Sequence, residues 1–340
     1  MSTIKSEVNA TIPASLGDPA DAWIWAGDHL GAMRRRLYFA TRAEGGLDEA
    51  CRYHWQKPGS WFRARLALAL CHSFRLDDTD ALNLATACEC FHNASLVHAD
   101  LQDRDLRRRD QETVWHHFGS PMAIALGDHL LFSGYRVLGE LAAHCGRAAL
   151  VTTFSEGLGN AVRGQTPTCR LSPEAPMDTD ALLHCYEQQA RAKSGELLAL
   201  PVVGALLLAD AAPEVLDRAR AIMRDYGLLY QCLCNLADTT ASKAGRVPGS
   251  DLRNGELTAP MIWYLTVAPQ AHGRALLAFL ADPDPQTACY WMARLCNPPM
   301  LEHGTHYLQQ CRARIRAGLA ALPGDLNHLL SHGLEQALLG

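Results

Sequence analysis

The sequence lacks the features that mark secreted, membrane-spanning and nucleic-acid-binding proteins. No apolar stretch approaches the roughly 20 residues that a membrane-spanning helix needs, and the longest candidate, residues 195–209, is shorter and carries a charge. The first residues contain no apolar run of the kind found in signal peptides. The net charge of −5 gives no reason to expect nucleic acid as a partner. We therefore expect a cytoplasmic protein without a transmembrane segment.

Cysteine spacing typical of zinc sites or of a disulfide framework is also absent. The 12 cysteines are scattered over 340 residues without a Cys-x-x-Cys repeat. In a reducing cytosol such cysteines are mostly small buried apolar side chains. The spacing therefore favours neither a zinc site nor disulfides.

Alternating runs of β-branched residues are missing as well, so we expect little or no sheet. Apolar residues instead recur three and four positions apart, for example in residues 81–101 and 218–238. This periodicity predicts an all-α protein with roughly ten or more helices in one domain. We assign residues 1–30 to an N-terminal extension with the first helix and residues 31–340 to the helical domain. Residues 170–180 are predicted to form a surface loop.

Two of the predicted helices carry acidic side chains on one face. Asp100 and Asp103 are three residues apart, and Cys234 and Asp238 are four apart with Asn235 beside them, so each pair shares a helix face. Two such helices facing each other in a bundle can hold hard cations, which prefer oxygen ligands and would neutralise a diphosphate. Solvated acidic helix ends explain the spacing equally well.

The order of motifs along the chain resembles that of the trans-isoprenyl diphosphate synthases, the all-helical family that makes farnesyl and geranylgeranyl diphosphate. The resemblance extends from about residue 57 to 325. Its segments are FHNASLVHADLQD (91–103), RRRDQETVWHHFG (107–119), AIALGDHLL (123–131), GQ (164–165), KSGELL (193–198), YQCLCNLAD (230–238) and GRVPGSDLRNGELTAP (245–260). The resemblance implies an isoprenoid-synthase-type helical bundle with a central prenyl diphosphate cavity, and a homodimer.

The aspartate-rich motifs of this chain are degenerate. In the family, magnesium is held chiefly by the first and last aspartates of the first motif and the first aspartate of the second. Those positions are Ala99, Asp103 and Cys234 here, and a thiol is a poor magnesium ligand. We expect Asp100, Asp103 and Asp238 to bind magnesium weakly or at reduced stoichiometry.

The resemblance also implies which cationic side chains bind diphosphate, since arginine forks and lysine suit phosphate oxygens. In the pocket for isopentenyl diphosphate, Ser60 and Trp61 replace a lysine and an arginine of the family pattern. The predicted diphosphate ligands are Arg63, His92, Arg108, Arg109, Lys193 and Arg246. Lys193, Gln231 and Arg108 are the predicted catalytic residues, because stabilising the charge of the departing diphosphate is the main catalytic task.

Small residues near the first motif predict the length of the chain that the cavity accepts. Ala94 and Ser95 occupy positions beneath the reacting end of the prenyl chain in the family, and Phe91 lies about one helical turn deeper. A pocket open at the top and closed by Phe91 predicts a substrate of farnesyl to geranylgeranyl length.

Three functions are compatible with these residues. The first is a divergent enzyme that transfers or cyclises a prenyl chain but elongates poorly, and the retained cationic residues favour it. The second is a catalytically silent regulatory subunit of a hetero-oligomeric prenyl diphosphate synthase, and the third is a non-catalytic prenyl diphosphate binder. Asn235, Thr239 and Lys243 also match two of the three positions of a terpene-cyclase magnesium motif, with lysine where glutamate belongs. Chance similarity explains this match as well.

Overall fold

The computed structural model describes residues 15–166, 178–240, 248–284 and 286–339. Within these ranges the regular structure is helical apart from one short β-hairpin, which confirms the all-α prediction. The elements are α1 (Pro19–Ala40), α2 (Gly45–Trp55), α3 (Phe62–Ser73), α4 (Asp78–Gln102), β1 (Arg107–Arg108), β2 (Gln111–Glu112), α5 (Val114–Phe118), α6 (Ser120–Cys145), α7 (Ala149–Gln165), α8 (Thr179–Ala190), a π-helical turn (Arg191–Gly195), α9 (Glu196–Leu208), α10 (Pro213–Thr239), α11 (Ser250–Arg253), α12 (Ala259–Val267), α13 (Gln270–Ala281), α14 (Ala288–Leu295), α15 (Pro298–Ala320) and α16 (Gly324–Leu339).

The predicted boundary at residue 30 falls inside α1, which is one continuous helix to Ala40. Its buried side chains include Trp23 before that position and Met33 and Leu37 after it. The core-facing stripe of α1 therefore runs across the boundary, and the first helix is longer than the sequence suggested. Of the predicted loop at 170–180, residues 170–177 lie outside the described ranges, and α8 already begins at Thr179.

Aspartate caps begin several of the helices. Asp18 accepts a hydrogen bond from the amide of Ala20 at 2.8 Å at the start of α1, and Asp77 accepts one from Thr79 at 2.8 Å at the start of α4. Each carboxylate satisfies an amide that has no partner within the helix, and its negative charge interacts favourably with the positive end of the helix dipole.

The centre of the bundle is formed by α4 and α9. Most of α9 is buried on all sides, including Pro201, as expected of a helix without a polar face. Helix α4 packs against α3 and α6 with small side chains along most of its length. The first aspartate-rich segment lies at the end of α4, and the π-helical turn leads into α9. The packing of these two helices in the core therefore fixes both sides of the candidate site.

No helix in the described ranges is long and apolar enough to cross a membrane. Among the described residues, ten cysteines are free thiols. Cys185 is disulfide-bonded, so the expectation of no disulfide is wrong for this residue.

Candidate active site

Basic side chains from three elements converge beside the first aspartate-rich segment. The β-hairpin presents Arg108 and Arg109, α3 presents Arg63, and α4 presents His92. The hairpin turns through Arg109 and Asp110, which have φ angles of 54° and 60°. Positive φ at both central residues is typical of a type I′ turn and is unfavourable for residues with side chains. This turn closes the hairpin, and Arg108 and Arg109 stand at its tip, where Arg108 reaches Asp100 near the end of α4.

Arg108 forms a two-pronged ion pair with Asp100. Its Nε donates to Asp100 Oδ1 at 2.7 Å and to Oδ2 at 2.9 Å, while its Nη2 donates to Oδ1. Burial would lower the pKa of Arg108, but the Asp100 carboxylate outweighs burial and raises it. Asp100 is only 4% exposed. The residue predicted to bind metal and the residue predicted to bind diphosphate are therefore bound to each other.

Arg63, His92 and Arg109 lie in the same electrostatic environment. Arg63 Nε donates to the carbonyl of Leu197 in α9 at 3.2 Å, and Arg109 Nη1 donates to the carbonyl of Lys57 at 3.0 Å. Burial and then the neighbouring arginines hold the pKa of His92 well below its usual range, so its ring is neutral. Burial followed by Arg108 lowers the pKa of Arg109. Such crowding of positive charge is relieved when an anion binds.

The loop before α3 carries Ser60 and Trp61, which replace two cations in the predicted pocket for isopentenyl diphosphate. Trp61 is turned into an aromatic cluster, where it stacks on Trp55 with ring centroids 6.1 Å apart and lies under the Arg34 guanidinium. A side chain at Gly59 would meet Arg109 Nη2 at 2.5 Å. Ser60 is exposed. The guanidinium of Arg109 thus packs directly on the glycine of this loop, and neither Ser60 nor Trp61 adds a cation.

Glu89 is a site residue that the sequence interpretation missed. It is 3% exposed, its Oε1 accepts a hydrogen bond from the Ala64 amide at 3.1 Å, and its Oε2 accepts one from Asn93 Nδ2 at 3.3 Å. Trp61, the N-cap of α3, has no side-chain acceptor, so Glu89 supplies the missing cap from another helix. It also attracts Arg63. The signal in the sequence was a single glutamate inside the apolar helix α4.

The opposite side of the site is built by the π-helical turn and α10. Ser194 Oγ donates to Gln231 Oε1 at 2.8 Å, and Lys193 is half-buried in the same turn. The turn fits closely against α10, because a Cβ on Gly195 would lie 2.6 Å from Arg224 Cα. Single π-helical turns often occur at functional sites. This one places Lys193 and Gln231, two predicted catalytic residues, on adjoining elements.

The remaining predicted metal ligands differ in their surroundings. Asp103 is half-buried at the end of α4, where its Oδ1 accepts a hydrogen bond from Gln165 Nε2 at 3.4 Å. Asp238 is 1% exposed, and its carboxylate accepts hydrogen bonds from Ser250 Oγ at 3.0 Å and from the Asp251 amide at 3.3 Å. Asp238 therefore stabilises the turn at α11, whereas Asp103 lies at the edge of the site.

Glu256 is a second residue that the sequence interpretation missed. Burial, together with the negative charges of Asp103 and Asp251, raises the pKa of Glu256 to about 8. Lys193 opposes this effect. Nothing in the spacing of the sequence singled out Glu256, because it approaches Asp103 only through the fold.

These surroundings test whether the carboxylates fit magnesium. Among the described residues, no three His, Cys, Asp or Glu side chains form a group that could hold a metal ion. Asp100 and Asp238 do not fit a magnesium site in this arrangement, since Arg108 and the α11 turn already use their oxygens. Asp103 is the remaining candidate of the three, because it is half-buried at the edge of the site, where its Oδ1 accepts a hydrogen bond from the side-chain amide of Gln165.

Two residues of the possible terpene-cyclase motif, Asn235 and Thr239, are engaged in hydrogen bonds within the fold. The amide of Asn235 accepts a hydrogen bond from Tyr186 at 2.7 Å and donates one to Asp251 Oδ2 at 2.7 Å. Thr239 Oγ1 donates to the Asn235 carbonyl at 2.9 Å. Lys243 lies outside the described residues, as does Arg246. The hydrogen bonds of Asn235 and Thr239 support the interpretation of the motif as a chance similarity.

The predicted chain-length residues lie where α4 meets α6 and α7. The Phe91 ring is 1% exposed, 5.0 Å from the ring of Tyr135 and 5.9 Å from that of Phe154. Ala94 is buried, and the hydroxyl of half-buried Ser95 donates to the His92 carbonyl at 2.7 Å. The small residues are thus nearer the cationic cluster, and Phe91 is deeper in the bundle. Its role as a floor remains a prediction.

The fold and the site together define an all-α protein with a cationic site at the mouth of a helical bundle. The sequence profile of the family described as Polyprenyl synthetase matches residues 44–289. The chain belongs to this family, as the order of its motifs predicted.

Individual relatives agree with this assignment. A geranylgeranyl diphosphate synthase of Mycobacterium tuberculosis is 30% identical over 268 residues, which cover 78% of this chain and 75% of that protein. A (2E,6E)-farnesyl diphosphate synthase of Mycobacterium bovis is 31% identical over 241 residues, which cover 70% of this chain and 65% of that protein, slightly under two thirds of its length. The crystal structure of a polyprenyl synthase from Caulobacter crescentus, complexed with calcium and isoprenyl diphosphate, has a TM-score of 0.75 at 18% identity and covers 95% of this chain and 98% of that one. This structural similarity shows the fold.

Proposed function

We propose that the protein is a cytoplasmic enzyme that binds a prenyl diphosphate of farnesyl to geranylgeranyl length and transfers or cyclises its chain, with little standard elongation. The observation that carries the proposal is the crowding of the Arg63 and Arg109 guanidinium groups around the neutral ring of His92, together with Lys193 and Gln231 on the adjoining π-helical turn and α10. A cluster of this charge suits a diphosphate group. The family membership supports the choice of a prenyl diphosphate as the compound that bears it.

The reaction begins when the bond between the prenyl chain and the diphosphate breaks and negative charge develops on the leaving group. Arg63 and Arg109 would bind that group from the α3 side, and Lys193 from the π-helical turn. Arg108 is neutralised by Asp100, so we assign it the role of holding the hairpin that carries Arg109. Preorganised cations of this kind stabilise developing charge without reorganisation. Gln231 is held by Ser194 and would position the chain or its diphosphate.

Elongation with isopentenyl diphosphate should be slow, because Ser60 and Trp61 offer no cation to the second diphosphate. Purified protein mixed with isopentenyl diphosphate and farnesyl diphosphate is expected to yield little longer product. Single-turnover incubation with geranylgeranyl or farnesyl diphosphate alone should release diphosphate, and Lys193→Gln should slow that release, whereas Lys57→Gln should not. Elongation at or above about 1 per second, a usual enzyme rate, would contradict the proposal.

Magnesium, where bound, would be held by Asp103 and would supply further neutralisation of the diphosphate. Since this site is expected to offer one of the three predicted carboxylates, we expect weak binding to the empty protein and stronger binding once a prenyl diphosphate adds its oxygens. Calorimetry with magnesium, with and without farnesyl thiodiphosphate, measures both affinities. Asp103→Asn should abolish the gain, whereas Asp128→Asn, an exposed carboxylate beside His98, should not. Tight magnesium binding to the empty protein would refute this view.

A silent subunit is the second candidate, and the lack of carboxylates at Ala99 and Cys234 favours it. Helix α6 also exposes two large apolar side chains, Ile124 at 51% and Phe132 at 69%. Two such side chains on one face of a helix can contribute to an apolar contact surface. We propose that this face forms a homodimer, or a heterodimer with a competent synthase. Sedimentation of wild type and Phe132→Glu, with Phe39→Glu on α1 as control, tests the face.

A mixing experiment separates the candidates. If the protein alone releases no diphosphate but changes the product length of a competent synthase, it is a regulatory subunit. Tight binding of farnesyl diphosphate without either effect would identify a non-catalytic binder.

A further inference from the structure

The direction of the Lys193 side chain depends on the π-helical turn in which it lies, residues Arg191–Gly195. This turn interrupts the α-helical course of the chain between α8 and α9. A π turn takes one residue more than an α turn. Relaxing it to an α-helix would rotate its two ends relative to each other by about 100°, the rotation per residue of an α-helix. Because π turns are rare, contacts around this one must keep it in that form.

Glu196, the first residue of α9, joins the end of the turn to α10. The residue is only 1% exposed, and its Oε2 accepts a hydrogen bond from Arg220 Nε at 3.0 Å and lies 2.9 Å from Arg220 Nη2. Its Oε1 lies 3.5 Å from Arg224 Nε and accepts a hydrogen bond from Asn160 Nδ2 of α7 at 3.3 Å. Hydrogen bonds between ionised groups are among the strongest in proteins. One buried carboxylate therefore connects the turn to two neighbouring helices.

Arg191, the first residue of the turn, makes a second connection to α10. Its Nε donates to Asp225 Oδ1 at 2.8 Å, and its Nη1 donates to Glu187 Oε2 of α8 at 2.9 Å. Arg191 and Glu196 thus attach the two ends of the turn to one short stretch of α10, residues 220–225.

Between these two connections the backbone of the turn lies directly against glycines. A Cβ on Gly164 of α7 would collide with the backbone nitrogen of Lys193, and a Cβ on Gly227 of α10 would collide with the Cα of Gly195. The turn therefore has no room to shift toward either helix while the ion pairs at its ends are intact.

We propose that Glu196 is a positioning residue for the reaction: its pairing with Arg220 and Arg224 holds the turn in its π form and so directs Lys193 at the diphosphate of the bound substrate. This proposal rests on the proposed function, which assigns Lys193 to that diphosphate. Glu196 touches no substrate in this role and acts through Lys193.

The position of Lys193 can be measured without a ligand, because the chain has only four lysines: Lys5, Lys57, Lys193 and Lys243. Reductive methylation with ¹³C-formaldehyde labels each of them for NMR, and Lys193→Gln identifies the signal of Lys193. Glu196→Ala should move that signal and leave the signal of Lys57 in place. The matched control is Asp210→Asn, which breaks the exposed ion pair with Arg147 at the end of α9. It should move neither signal.

A double-mutant cycle then tests whether Glu196 acts through Lys193. Lys193→Gln should weaken the binding of inorganic diphosphate by roughly 10- to 100-fold, as expected for losing a hydrogen bond between charged groups. Glu196→Ala should weaken it at least several-fold. The double variant should bind as Lys193→Gln alone does, because residues that act as one unit are not additive. Asp210→Asn should bind diphosphate as wild type does.

Glu196→Ala is expected to fold, because Arg220 and Arg224 also line a groove of about 630 Å³ between α7 and α10, where water can solvate them. If it does not fold, Glu196→Gln removes the charge at nearly constant volume and enters the same two measurements.

The outcomes separate this proposal from the one on which it rests. If wild type binds neither inorganic diphosphate nor farnesyl diphosphate, the proposed function fails and the role of Glu196 fails with it. If wild type binds diphosphate and the Glu196 variant binds it equally well, or leaves the Lys193 signal in place, only the role of Glu196 is refuted. Additive losses in the double variant would show that Glu196 supports the fold of the site in general, and this too would overturn the proposal.

Discussion

Replacing Gly195 with alanine tests the close contact between α10 and the π-helical turn that carries Lys193. A Cβ at this position would lie 2.6 Å from the Cα and 2.8 Å from the carbonyl oxygen of Arg224. Both are backbone atoms of α10, so no side chain can rotate away to make room. Comfortable contacts between carbon atoms begin near 3.5 Å, which means that the π-helical turn and α10 would have to separate by about 1 Å.

Separating the π-helical turn from α10 should lower the free energy of unfolding and should also weaken ligand binding. Overpacking a close contact costs about 1–3 kcal/mol, and a contact between two backbones belongs at the upper end of that range. We therefore expect Gly195→Ala to lower the free energy of unfolding by about 3 kcal/mol in urea titrations. Because Lys193 is in the displaced turn, the remaining folded protein should also bind farnesyl diphosphate more weakly.

Gly139→Ala is the matched control. Gly139 lies in the middle of α6, and a Cβ there would meet nothing within 4 Å. Alanine should stabilise the helix by about 0.5–1 kcal/mol and leave ligand binding unchanged. If Gly195→Ala were as stable as wild type, or if both variants behaved alike, the close approach of the turn to α10 would be refuted.

Three further outcomes follow from the buried part of the site. Glu89→Ala should lower the free energy of unfolding by about 2–4 kcal/mol in urea titrations, because it leaves the Ala64 amide of α3 without its partner. Glu89→Gln should lower it by less. An alanine variant as stable as wild type would disprove the cap. Burial lowers the pKa of His54 to about 4, so between pH 6.5 and 4 the unfolded chain binds a proton that the native protein does not. The unfolding free energy should fall by up to about 3 kcal/mol over that window, and a pH series on His54→Gln should show a shallower fall. The stabilisation of wild type by bound ligand should increase from geranyl to farnesyl diphosphate, by about 0.8 kcal/mol per added methylene, and level off near geranylgeranyl diphosphate. In Phe91→Ala this plateau should move to longer chains. A variant that only loses stability would assign Phe91 to the core.

The sequence by itself determined the helical architecture and the family. Apolar residues three and four apart specify helix faces locally, and the ordered motifs from the first aspartate-rich segment to the Ser-Asp-Leu turn identified the polyprenyl synthetase family. It also predicted which of the family's metal positions lack carboxylates, because Ala99 and Cys234 occupy those places in the order of motifs.

Only the tertiary structure decided how the retained residues are used. Asp100 binds Arg108 because the chain reverses at residues 103–106, between the end of α4 and β1, and Asp238 supports α11 because that turn folds against α10. Glu89 caps α3, and Glu256 joins Asp103, across distances along the chain that no periodicity encodes. Helical spacing specifies which side chains share a face, but the partner of a buried charge depends on which elements pack against that face, and this is fixed only when the bundle forms.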